Sequence, residues 1–431
     1  MQGKKFSLLV GVVCLVLVAA LTFTVACPAP TPTTTAPTTG PTAAPTTAAP
    51  KVFKLGILEG LSGQFSDMTK MIYDGEMLAI DMLNEQGGIT VNGQQYLIEA
   101  AVEDNKATAE GAVAGATRLI DDQKVKFIVG TNMTWVVVAE ASVTDPAGVF
   151  RSNTWNNATS TEFSAATPYV LESSWGTLES TKACVDFLVK NYPNLKKVLI
   201  IMPDDGGIPE VFPKQKKIVE DAGLTVTGDC LPWAMDTVDY YPIAKKAIER
   251  NADVWLLNPA WETIVASFLK AGREQGFTGL MTNGQGCFYI LQEVSGGDPA
   301  VLTNCFFPGF STQTVDDLRA LPDDVFGSMP MVKEVGERAF AKNGYYHSFN
   351  LMGFNGVWNL MKLIEAAQSF DPAVVAAKMD TMTTMDTVYG TGTFCGQETF
   401  GIKHALTQQA PVQVIENGVM RYAGPASMYL P

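Results

Sequence analysis

The chain has 431 residues, 47% of them hydrophobic, and a formal net charge of −14. That length is enough for two domains with sizeable cores, and that apolar content excludes a wholly disordered chain. The acidic balance excludes a nucleic-acid binder and a polybasic membrane contact, because phosphate surfaces select basic partners; the two histidines, His347 and His404, are too few for a histidine-rich metal site.

The chain opens with Met1-Gln2-Gly3-Lys4-Lys5 and an unbroken apolar run from Phe6 to about Ala26. A basic start, an apolar middle and a small residue before the break describe a secretory signal peptide over 1–26. Cys27 follows at once. Val25-Ala26-Cys27 resembles the bacterial lipoprotein signal, with Thr24 where that motif usually has Leu. The resemblance implies that Cys27 becomes the acylated first residue of the mature chain. An intact anchor is the second reading, since roughly 20 apolar residues span a bilayer; plain secretion is the third. All three place the rest of the chain outside the cytoplasm. Residues 27–50 are nearly all Pro, Thr and Ala and cannot form a core, so they read as an extended linker.

Strands and helices then alternate. "VFKLGILEG" is a strand ended by glycine. "MIYDGEMLAIDMLNEQGGI" sets Ile72, Leu78, Ala79, Met82 and Leu83 on one helical face, with Gly87-Gly88 as the stop. "QYLIEAAVED", "ATAEGAVAGATRLIDDQ", "VKFIVG", a helix from Trp135 to about Thr144, and "GVFRS" continue the cycle. It restarts at "KKVLIIMPDD" and runs to "GLMTNG". Strands alternating with helices of this length predict parallel sheets with right-handed crossovers. Helices follow near 330–343, 348–369 and 372–380. "PVQVIENGVMRY" then carries Asn417-Gly418 between apolar residues, a hairpin signal. Cys184, Cys230, Cys287, Cys305 and Cys395 have no Cys-x-x-Cys spacing; disulfides and buried thiols both stay open.

No nucleophile elbow, P-loop or His-Glu-x-x-His motif is present, and no acid–base set assembles, so no enzyme and no cofactor is expected. Open α/β sheets bind ligands at the carboxyl ends of their strands. Four loops there stand out: Ser62-Gly63, Thr131 to Thr134, Asp204 to Gly207, and Pro259 to Trp261. Thr134 is expected to cap the helix that starts at Trp135, where a hydroxyl and free N–H groups suit an anion. Trp155 and Trp261 are the tryptophans best placed to wall a small-molecule pocket.

The order of elements resembles the extracytoplasmic solute-binding proteins of ABC importers, in the leucine/isoleucine/valine-binding branch. "LSGQFS", "DGEMLAIDMLNEQGGI", "YLIEAAVEDNKAT", "RLIDDQKVKFIVG", "AGREQGF" and "FNGVWNLMKLIEAA" carry the likeness. It implies two Rossmann-like α/β lobes joined by a three-strand hinge. Lobe 1 would comprise 51–172 and 310–387 and lobe 2 173–309 and 388–431, with hinges near 170–174, 308–312 and 386–390. It implies a ligand carboxylate held by Thr134 and by the "WNNAT" loop through Asn157 and Thr159, beside a wall residue at Met68. In the second lobe Gly207 stands where relatives have a tyrosine, and the "NGQG" loop (283–286) holds no acid for an ammonium group. Asp205 or Glu262 is left to substitute, and a carboxylate or amide without an α-amino group is expected to bind better than leucine. The resemblance also implies permease subunits as partners and a monomer. A sensory receptor of the same fold, acting through a signalling partner, is the alternative.

Overall fold

The computed structural model describes residues 49–286, 288–310, 312–322 and 329–431. The signal segment, Cys27 and the linker up to residue 48 lie outside the described residues, as does Cys287. The first sheet is built from β1 (Lys51–Glu59), β2 (Ile89–Val91), β3 (Gln94–Asp104), β4 (Phe127–Gly130), β5 (Phe150–Asn153) and β6 (Val170–Glu172), interleaved with α1 (Ser66–Glu85), α2 (Ala109–Asp121) and α3 (Thr134–Ala147). The chain then passes through α4 (Thr177–Asn191) into a second sheet. That sheet contains β7 (Lys197–Pro203), β8 (Thr225–Val226), β9 (Leu231–Trp233), β10 (Val254–Leu257), β11 (Leu280–Asn283) and β12 (Cys305–Pro308), with α5 (Ile208–Asp221), α6 (Tyr241–Glu249), α7 (Glu262–Glu274) and α8 (Phe288–Ser295) between strands. Strands β6-β5-β4-β1-β3 and β12-β11-β10-β7 run parallel, as the alternation predicts. Each is an apolar run covered by helices, with Leu55, Ile57, Phe127, Val129, Leu199, Ile201 and Leu257 fully buried.

The chain returns to the first lobe through α9 (Val315–Ala320), α10 (Pro330–Asn343), α11 (Ser348–Ala367) and α12 (Pro372–Thr381). All five residues of the expected apolar face of α1 are buried, and α11 lies against that helix. The two backbones meet at Gly75 and Gly353, where a Cβ would stand 2.0 Å from the Asn350 carbonyl oxygen and 1.9 Å from that of Ile72. No side chain fits at either place, so these glycines set how close α11 comes to α1.

The last strands correct one expectation. β13 (Thr384–Thr387) and β14 (Gly390–Cys395) form an antiparallel hairpin, and β15 (Ala405–Thr407) pairs with both β14 and β6. All three belong to the first sheet. Residues 386–390 are therefore a tight turn within that sheet, not a crossing, and β14 and β15 do not join the second lobe. The third crossing falls at Gln408, between β15 and β16 (Gln409–Glu416). β16 then pairs with β12 and, through the Asn417-Gly418 turn, with β17 (Val419–Ser427). Both turn residues have positive φ, 50° and 77°, as such a hairpin requires. The crossings are tied together: Gln408 Nε2 donates to the Ser173 carbonyl at 2.8 Å, and the Gly309 N–H donates to the Pro411 carbonyl at 2.9 Å. Cys184, Cys230, Cys305 and Cys395 are free thiols.

Candidate functional site

Because the central strands of each sheet are parallel, their carboxyl ends lie on one edge, and the two edges face each other. Between them is a cavity of about 500 Å³, counted to the protein's atoms and including its mouth. The loops after β4, β5, β7, β10 and β11 all reach it, together with α1 and α11.

Five sequence-predicted residues line it: Met68, Trp155, Asn157, Asp205 and Trp261. Three others do not. The Ser62 hydroxyl turns to Asp104 and donates to Oδ2 at 2.5 Å. Burial would raise the Asp104 pKa, but the Ser62 hydroxyl and the N–H groups of Lys106, Ser62 and Leu61 outweigh it and hold the carboxyl low. Thr159 donates to Glu162 Oε2 at 2.7 Å, behind the wall. Thr134 is not the helix cap. Met133 holds that position without a side-chain bond, and Thr134 is the first helical residue. Its hydroxyl instead accepts a hydrogen from Asn157 Nδ2 at 2.6 Å.

The first-lobe wall is a closed polar network. Asn157 Oδ1 accepts from the Trp155 indole at 3.1 Å and from the Thr177 hydroxyl at 2.7 Å. Burial raises the Glu162 pKa, opposed by hydrogen bonds from the Thr159 hydroxyl and N–H, from the Asn157 N–H and from Thr134. Two turns shape these loops: Thr131 (φ 58°) and Ala158 (φ 65°) are left-handed. That conformation is uncommon for a β-branched residue, and a buried bond from the Thr131 hydroxyl to Glu140 Oε2 at 2.7 Å holds it.

The second-lobe wall is mostly aromatic. Trp233 and Trp261 meet edge to face at 6.0 Å, and Phe65 of the first lobe lies 5.0 Å from Trp261. Asp205 Oδ1 accepts from the Gly207 N–H at 2.9 Å. Burial raises its pKa, opposed by that bond and, across the cleft, by Thr134. Glu262 does not line the cavity. Its Oε1 lies 3.7 Å from His347 Nε2, with both side chains buried. Burial pushes Glu262 up to about 8 and His347 down to about 3, so both are neutral near pH 7. Two further contacts join the lobes: the Ser160 N–H donates to Glu210 Oε2 at 2.8 Å, and Lys214 Nζ to the Ala158 carbonyl at 2.7 Å.

Asn132, Gln285, Phe349 and Met352 also line the cavity and were not singled out from sequence. The loop holding Gln285 was visible as a strand end; only its missing acid drew notice. Phe349 and Met352 arrive on α11, later in the chain than every other lining residue, with no local signal. Among the described residues no group of three potential ligands could hold a metal, and no helix is long and apolar enough to cross a membrane.

Two parallel sheets whose loop-bearing edges enclose a cavity, joined by three crossings, define a bilobal ligand-trapping protein. Residues 52–418 match the periplasmic binding protein family, and the chain belongs to it. A Leu/Ile/Val-binding protein homolog 8 of Brucella abortus is 27% identical over 338 residues, covering 76% of this chain and 79% of that protein. The branched-chain amino acid transporter substrate-binding protein LivJ of Streptococcus pneumoniae, solved with isoleucine, superposes with a TM-score of 0.66 at 17% identity. It covers 88% of this chain and all of that one. A solute-binding protein of an ABC transporter from R. palustris, solved with benzoate, gives 0.64 at 17% identity, over 87% and 96%. At these identities the two structures establish the fold.

Proposed function

We propose that this protein is the lipid-anchored solute-binding component of an ABC importer. It captures a small organic, amino-acid-like ligand between its lobes outside the cytoplasmic membrane and presents it to permease subunits. The observation that carries this reading is the cavity itself, walled from both sheets and reached by no assembled catalytic set. A ligand touching both walls stabilises the closed form over the open one, and the permease reads the closed shape. In this reading residues 51–172 and 310–407 move as one body, and 173–309 with 409–431 as the other.

The relatives solved with isoleucine and with benzoate bracket the ligand class. Asp205 lines the cavity and no Lys, Arg or His does so among the described residues, which favours a ligand carrying nitrogen over a plain carboxylate. A ligand carboxylate would rest on the first turn of α3, whose leading N–H groups have no partner within the helix.

Calorimetry on ligand-stripped protein tests capture, and mass spectrometry on protein from its own host tests the anchor. The expected outcomes are saturable binding of an amino-bearing solute and a lipid mass on Cys27 that Cys27→Ala abolishes. A mature chain with no lipid mass at Cys27 ends the anchor; no binding across amino acids, amines and aromatic acids ends the capture role.

A further inference from the structure

The charge of the cavity is one-sided. Trp135, Trp155, Trp233 and Trp261 line it, two from each lobe. Two of the indoles have no hydrogen left to offer: Trp135 Nε1 donates to the Ala107 carbonyl at 3.1 Å, and Trp155 Nε1 to Asn157 Oδ1 at 3.1 Å. Asn157 Nδ2 is directed to Thr134. Trp233 Nε1 is buried without a partner and remains a neutral donor, but no cationic side chain lines the cavity among the described residues. Asp205 brings a carboxylate, and Gln285, 5% exposed, has an Oε1 with no hydrogen-bond partner.

A buried acceptor with neither a donor nor a positive charge beside it is costly, and the charge of a cationic ligand offsets that cost. A wholly anionic ligand would find N–H groups only at the first turn of α3 and would otherwise meet a carboxylate and indole faces of negative potential, with no cationic side chain among the described lining residues. A cation would meet both favourably, because the ring quadrupole attracts positive charge.

We propose that the ligand is an organic ammonium ion bearing alkyl groups on nitrogen, seated among the tryptophans with its charge toward Asp205 and Gln285. Alkyl groups spread the charge over an apolar surface, which suits indole faces better than a compact, strongly hydrated primary ammonium. This rests on the capture role proposed above and narrows its ligand.

The test is a tryptophan-fluorescence titration, confirmed by calorimetry, of the mature protein. Choline is compared with its neutral isostere 3,3-dimethylbutan-1-ol, with leucine and with benzoate. Choline is expected to bind about 30-fold tighter than the isostere, the ratio a desolvated cation over an indole supplies. Asp205→Asn is expected to remove at least about tenfold of that preference. Circular dichroism checks that the variant is folded, and its affinity for the isostere should change less than its affinity for choline. Equal affinity for choline and the isostere, or tighter binding of leucine or benzoate than of choline, overturns the proposal and leaves the capture role standing. Binding of none of the four at millimolar concentration overturns the ammonium proposal, and the wider panel of amino acids, amines and aromatic acids then decides the capture role.

Discussion

On the first-lobe side of the cavity the side chain of Asn157 is already satisfied, by Trp155 and Thr134 of its own lobe and by Thr177 of the second, and Glu162 secures the loop from behind. On the second-lobe side Gln285 Oε1 and Trp233 Nε1 have no partner, and the rest of the wall is tryptophan, proline, alanine and a single carboxylate. The first wall is thus built before the ligand arrives, and little of its order has to be created on binding. The second wall leaves its polar needs for the ligand to meet. Shape and fold integrity reside in the first wall, and choice among ligands in the second.

The most severe way to break this contrast is Asn157→Leu. It strips partners from a buried indole N–H and two hydroxyls, at roughly 1–3 kcal/mol for each group left unsatisfied. Urea denaturation should show a loss of about 3 kcal/mol or more, and affinity should fall more than about 100-fold. A variant that keeps wild-type stability would show that the network does not build the wall.

Next is Trp261→Ala. This ring is half-buried and packs between Phe65 and Trp233, so its removal should act on binding more than on folding. Affinity should drop roughly 10- to 50-fold, as for an aromatic anchor at an interface centre. A stability loss larger than the affinity loss would blur the distinction between the walls.

Thr134→Ala probes the seam, because Thr134 serves Asn157 and faces Asp205. One hydrogen bond of about 1–1.5 kcal/mol predicts roughly tenfold weaker binding. Thr134→Ser should restore it; failure of Ser to rescue would point to methyl packing instead.

The smallest effect concerns pH. Burial raises Glu76 and Glu262 to about 8 and Glu140 to about 7. Each folded carboxyl keeps a proton that the unfolded chain releases above its ordinary value of 4.5, so stability falls as pH rises from there toward 8. His347, lowered by burial to about 3, acts oppositely. The unfolded chain binds a proton below 6.5 that the folded one refuses, so stability falls as pH drops from 6.5 toward 3. The two slopes oppose each other between 4.5 and 6.5. The melting temperature should therefore be higher at pH 5.5 than at pH 8. Glu76→Gln, in the first lobe, and Glu262→Gln, in the second, should each flatten the alkaline limb; no change in either slope would place those acids outside the folding linkage.

Much of the scaffold was legible locally. The alternation of strands and helices, the buried face of α1 and the Asn417-Gly418 hairpin depend on short-range periodicity and turn chemistry. The loops carrying Asp205 and Trp261 were also visible, because a strand's end is marked by polar and small residues. Thr134 shows the limit. A hydroxyl at a helix start reads as a cap, yet Asn157, 23 residues on, claims it. The turn at 386–390 shows another. Periodicity identifies a strand but not the sheet it joins, and β14 and β15 chose the first sheet through pairing with a strand more than 220 residues earlier.

By itself, then, the sequence determined an acidic α/β chain with two cycles of parallel strands, loops at their carboxyl ends and tryptophans near those loops. Periodicity and turn residues act over a few positions, and each of these features is written at that range. Only the tertiary structure decided which loops meet, that Glu262 faces His347 and not the cavity, and that Gln285 brings an unpaired acceptor to the cavity that Asp205 also lines. Those outcomes depend on distances between segments far apart in the chain, set when the two sheets and α11 pack.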